Sequence, residues 1–188
     1  FVYCNNCPLI LIDENGYDSR LIGIGVEFEL DVGVFTVGVE VILYWDEQIC
    51  KGEGPVIAIY AYGGGSVDLG LLESNEDYQR LILGLGNALV SADLTKLNSE
   101  MLTMLWEDMK SNVSLSFSML LLAADDSFTQ TKDYEGGFDS FSATVNHKKI
   151  GGAWSNNCFA LSVGATTSTL PGVSRGRTYY KQLVEYKL

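Results

Sequence analysis

From Leu21 to Trp45 every second residue is apolar, and the phase of the alternation flips once in the middle. Ile22, Ile24, Val26, Phe28, Leu30 and Val32 form one apolar set on even numbers; Phe35, Val37, Val39, Val41, Leu43 and Trp45 form another on odd numbers. A period of two is the signature of a β-strand with one apolar face. A short hairpin loop of even length pairs positions whose numbers differ by an odd amount, so the flip predicts two antiparallel strands turning near Gly33. Residues whose numbers sum to 67 then lie opposite one another, with Phe28 facing Val39 and Glu27 facing Glu40.

The alternation recurs along the chain. Val113 to Leu121 alternates with Ser114, Ser116 and Ser118, and Phe141 to Val145 alternates with Ser140, Ser142 and Thr144. Val56 to Tyr62 is apolar on both parities, as a strand covered on both faces would be, and Gly63-Gly64-Gly65 is expected to end it. Asn146 to Lys149 reads as a turn, followed by a short return strand from Ile150 to Trp154 and a further one from Cys158 to Ala165. A last strand is expected at Thr178 to Tyr186, after a loop rich in small residues that carries Pro171, Gly172 and Gly176.

Between these halves the period changes. Ser74 and Asp77 have the form of a capping box, and Tyr78, Leu81, Ile82, Leu85 and Leu89 recur at three and four. Leu94, Leu97, Met101, Leu105 and Met109 continue that spacing. The expectation is a mainly β fold, an antiparallel sandwich or barrel of about eight strands, with an inserted αα hairpin around residues 74–111. A length of 188 residues suits one domain, with an N-terminal tether over residues 1–20.

The net charge of −12 argues against nucleic acid, whose phosphates are bound by clustered Lys and Arg. Its distribution is uneven: from residue 148 onward six basic residues stand against Glu185 alone, so the total divides into +5 there and −17 before it. Such polarity invites contact between copies or with a protein partner, and it makes Lys148, Lys149, Arg175 and Arg177 the interaction candidates. No apolar stretch reaches the roughly 20 residues of a spanning helix. The chain begins at Phe1 without a signal-peptide pattern, the form of a processed or a trimmed chain.

Four cysteines, Cys4, Cys7, Cys50 and Cys158, favour two disulfides and with them an extracellular or cell-surface location, although Cys4-x-x-Cys7 is also a zinc half-site or redox spacing. The sequon at Asn112 does not decide the compartment. His147 sits in a turn beside lysines, and no catalytic or phosphate-binding motif is present.

The hairpin register gathers Glu27, Glu29, Asp31 and Glu40 on one strand face. Like charges directly opposite are destabilising, so the cluster is expected to face solvent, hold a cation such as calcium, or share a proton. The absence of catalytic motifs favours a secreted structural or interaction protein, without catalysis or cofactor, that binds a partner or assembles as a homo-oligomer through β-rich surfaces. The alternative is a membrane-active, pore-forming-like β-protein that inserts the 21–46 hairpin, whose arms have the length and dyad pattern of a transmembrane hairpin. A third reading is a carbohydrate-active enzyme using the Glu27/Glu40 pair. Exposure of Phe28, Phe35 and Trp45 separates the first two, because a soluble sheet buries them and a membrane-active one releases them.

Overall fold

The computed structural model describes residues 19–68, 113–168 and 171–188, together with Thr103. The expected helical pair at 74–111 lies outside the described residues, as do Cys4, Cys7 and most of the N-terminal tether. The described strands are β1 (Arg20–Val32), β2 (Phe35–Tyr44), β3 (Val56–Asp68), β4 (Val113–Ala124), β5 (Gly136–Val145), β6 (Lys148–Trp154), β7 (Cys158–Thr166) and β8 (Gly172–Lys187), with a short helix α1 (Glu47–Cys50) between β2 and β3. They close into one antiparallel barrel in the order β1-β2-β3-β8-β5-β6-β7-β4, with β4 returning to β1. Of the two architectures the alternation allows, the chain adopts the barrel. No described helix is long and apolar enough to cross a membrane.

The β1–β2 register is the one set by the parity flip: Phe28 pairs with Val39, Glu27 with Glu40, and Asp31 with Thr36. Gly33 takes a positive φ of 59° as the first residue of the two-residue turn. A turn of that kind needs positive φ only at its first central position, which leaves Val34 in an ordinary conformation. The β5–β6 turn is equally tight. Asn146 and His147 both have positive φ, at 49° and 63°, so strand pairing resumes at once with Lys148 opposite Val145.

Two expected loops are strand instead. Gly63-Gly64-Gly65 does not break β3; it pairs with Phe35, Thr36 and Val37 on one side and with Arg177, Thr178 and Tyr179 on the other. Close approach of the neighbouring backbone explains a glycine there, since a Cβ on Gly64 would stand 2.1 Å from the Arg177 carbonyl oxygen. The loop before the last strand is correspondingly shorter, and Arg175 and Arg177 stand on the outer face of β8 rather than on a loop.

The barrel interior has two storeys. The lower one is apolar and aromatic: Ile22, Ile42, Tyr44, Tyr60, Leu122, Phe128, Tyr134 and Phe138 are all buried there. Tyr44 and Tyr60 share a hydrogen bond of 2.8 Å, and the Tyr60 hydroxyl donates to the Thr131 carbonyl at 2.8 Å. Phe128 and Tyr134 belong to the connection from β4 to β5, which therefore plugs the lower mouth of the barrel. Arg20 fastens that plug. Its guanidinium bonds Asp46 at 2.7 Å, Asp126 at 2.8 Å, and the carbonyls of Asp125 and Phe128 at 2.8 and 2.9 Å.

Candidate functional site

Above the aromatic plug the lumen turns polar. Beyond the irregularity between Leu21 and Gly23, odd-numbered residues of β1 and even-numbered residues of β2 point inward, so Glu27, Glu29, Asp31, Thr36 and Glu40 line one chamber with Tyr62, Ser140, Ser142, Lys149, Ser174 and Thr178, around a cavity of about 90 Å³. Glu27 and Glu40, at 7% and 1% exposure, are as buried as the apolar core. The acids do gather on one face as the register requires, but that face is the inside of the barrel and not a solvated surface. A period-two pattern separates two faces without saying which one meets water.

Each acid has its own surroundings. Tyr62 lies beneath Glu27 and Glu29 and bonds them at 2.6 and 3.1 Å. Thr36 donates to Asp31 at 2.6 Å, and Ser114 does so at 3.3 Å. Lys149 forms an ion pair with Glu29, and its ammonium stands 3.8 Å from Asp31. Glu40 lies beside the Tyr134 and Tyr180 hydroxyls, and burial, with the charge of Glu27, pushes its carboxyl well above the usual carboxylate range. Glu27 and Glu40 face each other across the β1–β2 pair on the inner face of the barrel, and no three acidic, histidine or cysteine side chains among the described residues are grouped to hold a metal ion.

The basic candidates divide. The two-residue turn before β6 places Lys148 and Lys149 on opposite faces, Lys148 exposed at the upper rim and Lys149 in the lumen. Arg175 and Arg177 are exposed on the outer wall, where Arg177 sits 5.8 Å from the ring of Tyr179 and pairs across the strands with Asp139. Cys50 and Cys158 are buried free thiols, so the expected two-disulfide scheme does not form at these two positions. Burial raises the Cys50 thiol above its ordinary pKa.

The outer wall is the reverse of the lumen. Phe28, Phe35 and Trp45 are 56%, 37% and 41% exposed, and Val37, Val39, Leu115, Phe117, Met119, Val163 and Ile150 are exposed with them. Phe28 and Phe117 meet on this face with ring centroids 4.9 Å apart. Trp45, Trp154 and Tyr186 stand at the ends of β2, β6 and β8 that surround the plugged mouth.

Sequence reasoning passed over Thr178 and the lumen placement of Tyr62 and Lys149. The signal that could have found the lumen is residue size: apart from Lys149, the inward polar positions around the chamber on β4 to β8 are mostly Ser, Thr and Gly, as a narrow eight-stranded interior requires. No known protein family, curated protein or solved structure matches this chain.

Proposed function

We propose that this chain is a β-barrel whose outer wall sits in a lipid bilayer, serving as a plugged membrane-embedded module rather than an open channel. The observation that carries the reading is the inversion of polarity, with charged and hydroxyl side chains sealed inside and large apolar side chains outside. In water that arrangement exposes far more contiguous apolar surface than a soluble monomer presents. In hydrocarbon it is the favourable one, and a closed barrel satisfies every strand edge. The 12 residues of β4, rising about 3.3 Å each and tilted by roughly 40°, span about 30 Å, close to the apolar band of such barrels. The aromatic side chains around the lower mouth suit an interfacial girdle.

The strand order is not a simple meander, since β4 lies between β1 and β7, and β8 between β3 and β5. The reading therefore rests on surface chemistry and not on kinship with up-and-down barrels. It extends insertion from the 21–46 hairpin to the whole wall. A cell-surface membrane is a fitting location, though Cys50 and Cys158 lend it no support.

A second reading, a protein partner or further copies of this chain bound to the outer wall, is favoured by one feature. Arg175, Arg177 and Lys181 run down the outside of β8 as a basic seam beside the apolar positions of the wall, with Lys181 paired to Glu135. The test is reconstitution: the purified full chain mixed with phosphatidylcholine vesicles and floated through a density gradient. Co-flotation resistant to high salt and carbonate, with β1–β2 protected from protease, is expected. A chain that stays at the bottom as a soluble, defined oligomer would overturn the bilayer reading in favour of the second.

A further inference from the structure

Lys149 and Glu29 meet across the lumen from strands that are not neighbours. Their ion pair joins β6 to β1, which the barrel order separates by β7 and β4. Both side chains are at least nine-tenths buried, at 8% and 10% exposure. The two-residue turn at Asn146 and His147 sends Lys149 inward, and the β1 alternation does the same for Glu29, so two paired strands and not a loop build the contact. An amine and a carboxyl held in this way are also the two halves of an amide.

In water that condensation is held back because both groups are ionised and apart. The chamber removes both obstacles. Burial lowers the pKa of the Lys149 amine, against the charge of Glu27, which favours the neutral, nucleophilic form. Passing one proton from the ammonium to the carboxylate also discharges the pair, and a buried site prefers two neutral groups to two charges. Fixed contact replaces a bimolecular encounter, an advantage equivalent to about 10⁵ M or more.

Two further groups stand where the reaction needs them. The Tyr62 hydroxyl lies 3.1 Å from Glu29 Oε2, the distance at which a donor stabilises a developing oxyanion. Asp31 Oδ2 lies 3.8 Å from Lys149 Nζ. Burial raises the Asp31 carboxyl, against hydrogen bonds from Thr36 and Ser114, toward the range in which it both takes and returns a proton.

We propose that Lys149 and Glu29 condense into an amide cross-link between β6 and β1, assisted by Tyr62 and Asp31. The Nζ lone pair attacks Glu29 Cδ while the carbonyl electron pair moves onto Oε2 beside Tyr62. Asp31 takes a proton from Nζ and returns it to Oε1, which already carries the proton passed from the ammonium and leaves as water. One C–N bond forms, one C–O bond breaks, and no oxidant or reductant is required. The bond lies inside the lumen, so it is independent of what covers the outer wall.

The test is the mass of the purified, folded full chain, measured after reduction and denaturation. A wild-type mass below the sequence value by one water is expected, with fragmentation of the linked tryptic peptides placing the bond between Glu29 and Lys149. Lys149→Arg and Glu29→Ala should each show the full mass and migrate differently on a denaturing gel, because the link closes a loop that denaturant cannot open. Asp31→Ala keeps the pair but removes the proton carrier, and should give a mixture of linked and unlinked chains; complete linkage there would overturn the part given to Asp31. A folded wild-type chain of full mass would overturn the proposal and leave an ordinary buried ion pair. Water loss that persists in Lys149→Arg, or a bond located at another carboxyl, counts against it equally. If the substituted chains do not fold, the wild-type mass and its linked peptides decide alone.

Discussion

Tyr62 of β3 lies flat over Gly38 of β2, so closely that a Cβ on Gly38 would stand 2.3 Å from the Tyr62 ring carbon that carries the hydroxyl. The two are cross-strand partners, and the glycine lets the ring fold down until its hydroxyl reaches Glu27 and Glu29. An aromatic ring covering a cross-strand glycine restores packing that the glycine forfeits. Gly38→Ala is therefore expected to lift the ring and break its bonds to the acids, lowering stability by about 1–3 kcal/mol. Tyr62→Phe should lose less, because the ring stays in place. Chemical denaturation of the two variants beside wild type checks the order.

The plug should be acid-sensitive through Asp46. Partial burial works to raise this carboxyl's pKa, but the Arg20 hydrogen bond and charge and the N–H groups of Ile49 and Gln48 outweigh it and hold the group below the usual range. A lowered folded-state pKa means stability that is present above the unfolded value near 4 and is lost as pH falls through the folded one. The pair is partly solvent-screened, so the contribution is about 1 kcal/mol or less. Asp46→Asn keeps the cap on α1 but removes the charge, and should flatten the decline in melting temperature between pH 5 and 3. Asp46→Ala loses the cap as well, at a further cost of about 1 kcal/mol.

Free thiols buried at Cys50 and Cys158 make a labelling prediction. In a Cys4→Ser, Cys7→Ser background, the folded chain should react with neither of two equivalents of a thiol reagent. Burial both shields the Cys50 sulfur and raises its pKa, which reduces the reactive thiolate. Two equivalents should react after denaturation without reductant; none would mean a Cys50–Cys158 bridge.

On the outer wall, Phe117→Lys should impair vesicle insertion by about 2–4 kcal/mol if that position lies near the bilayer midplane, while Phe117→Leu should be nearly neutral. Ser118, the next residue along β4, faces the lumen and is 1% exposed. Ser118→Leu should leave insertion intact yet destabilise the barrel by overfilling it, by about 1–3 kcal/mol. Flotation and thermal unfolding of the three variants separate the two faces of one strand.

Pairing was far more legible in the sequence than facing. The flip of parity around Gly33 is enough to set Glu27 opposite Glu40, because backbone geometry ties register to residue number. Whether Phe28 or Glu27 meets water depends on how many other strands join and whether they close, which is information from distant segments. Arg20 illustrates the same limit: it bonds Asp46 and Asp126, 26 and 106 residues away. Lys149 was legible as a cation but not as a lumen residue, because one residue more or less in the Asn146–His147 turn would swap it with Lys148. The glycines of β3 read as a break by propensity and became strand because two neighbouring backbones press on them.

Barrel closure also imposes an order of events on the chain. The β8 strand fits between β3 and β5, and it is the last of the described strands to be synthesised. Until it arrives, β3 and β5 each present an unpaired edge, and the future chamber is a trough open along its length. Water and small ions equilibrate freely with Glu27 and Glu40 during that interval. Docking of β8 then brings Thr178 and Tyr180 across the opening, so whatever partners those carboxylates have at that moment is enclosed with them, and its later exchange depends on opening the wall again.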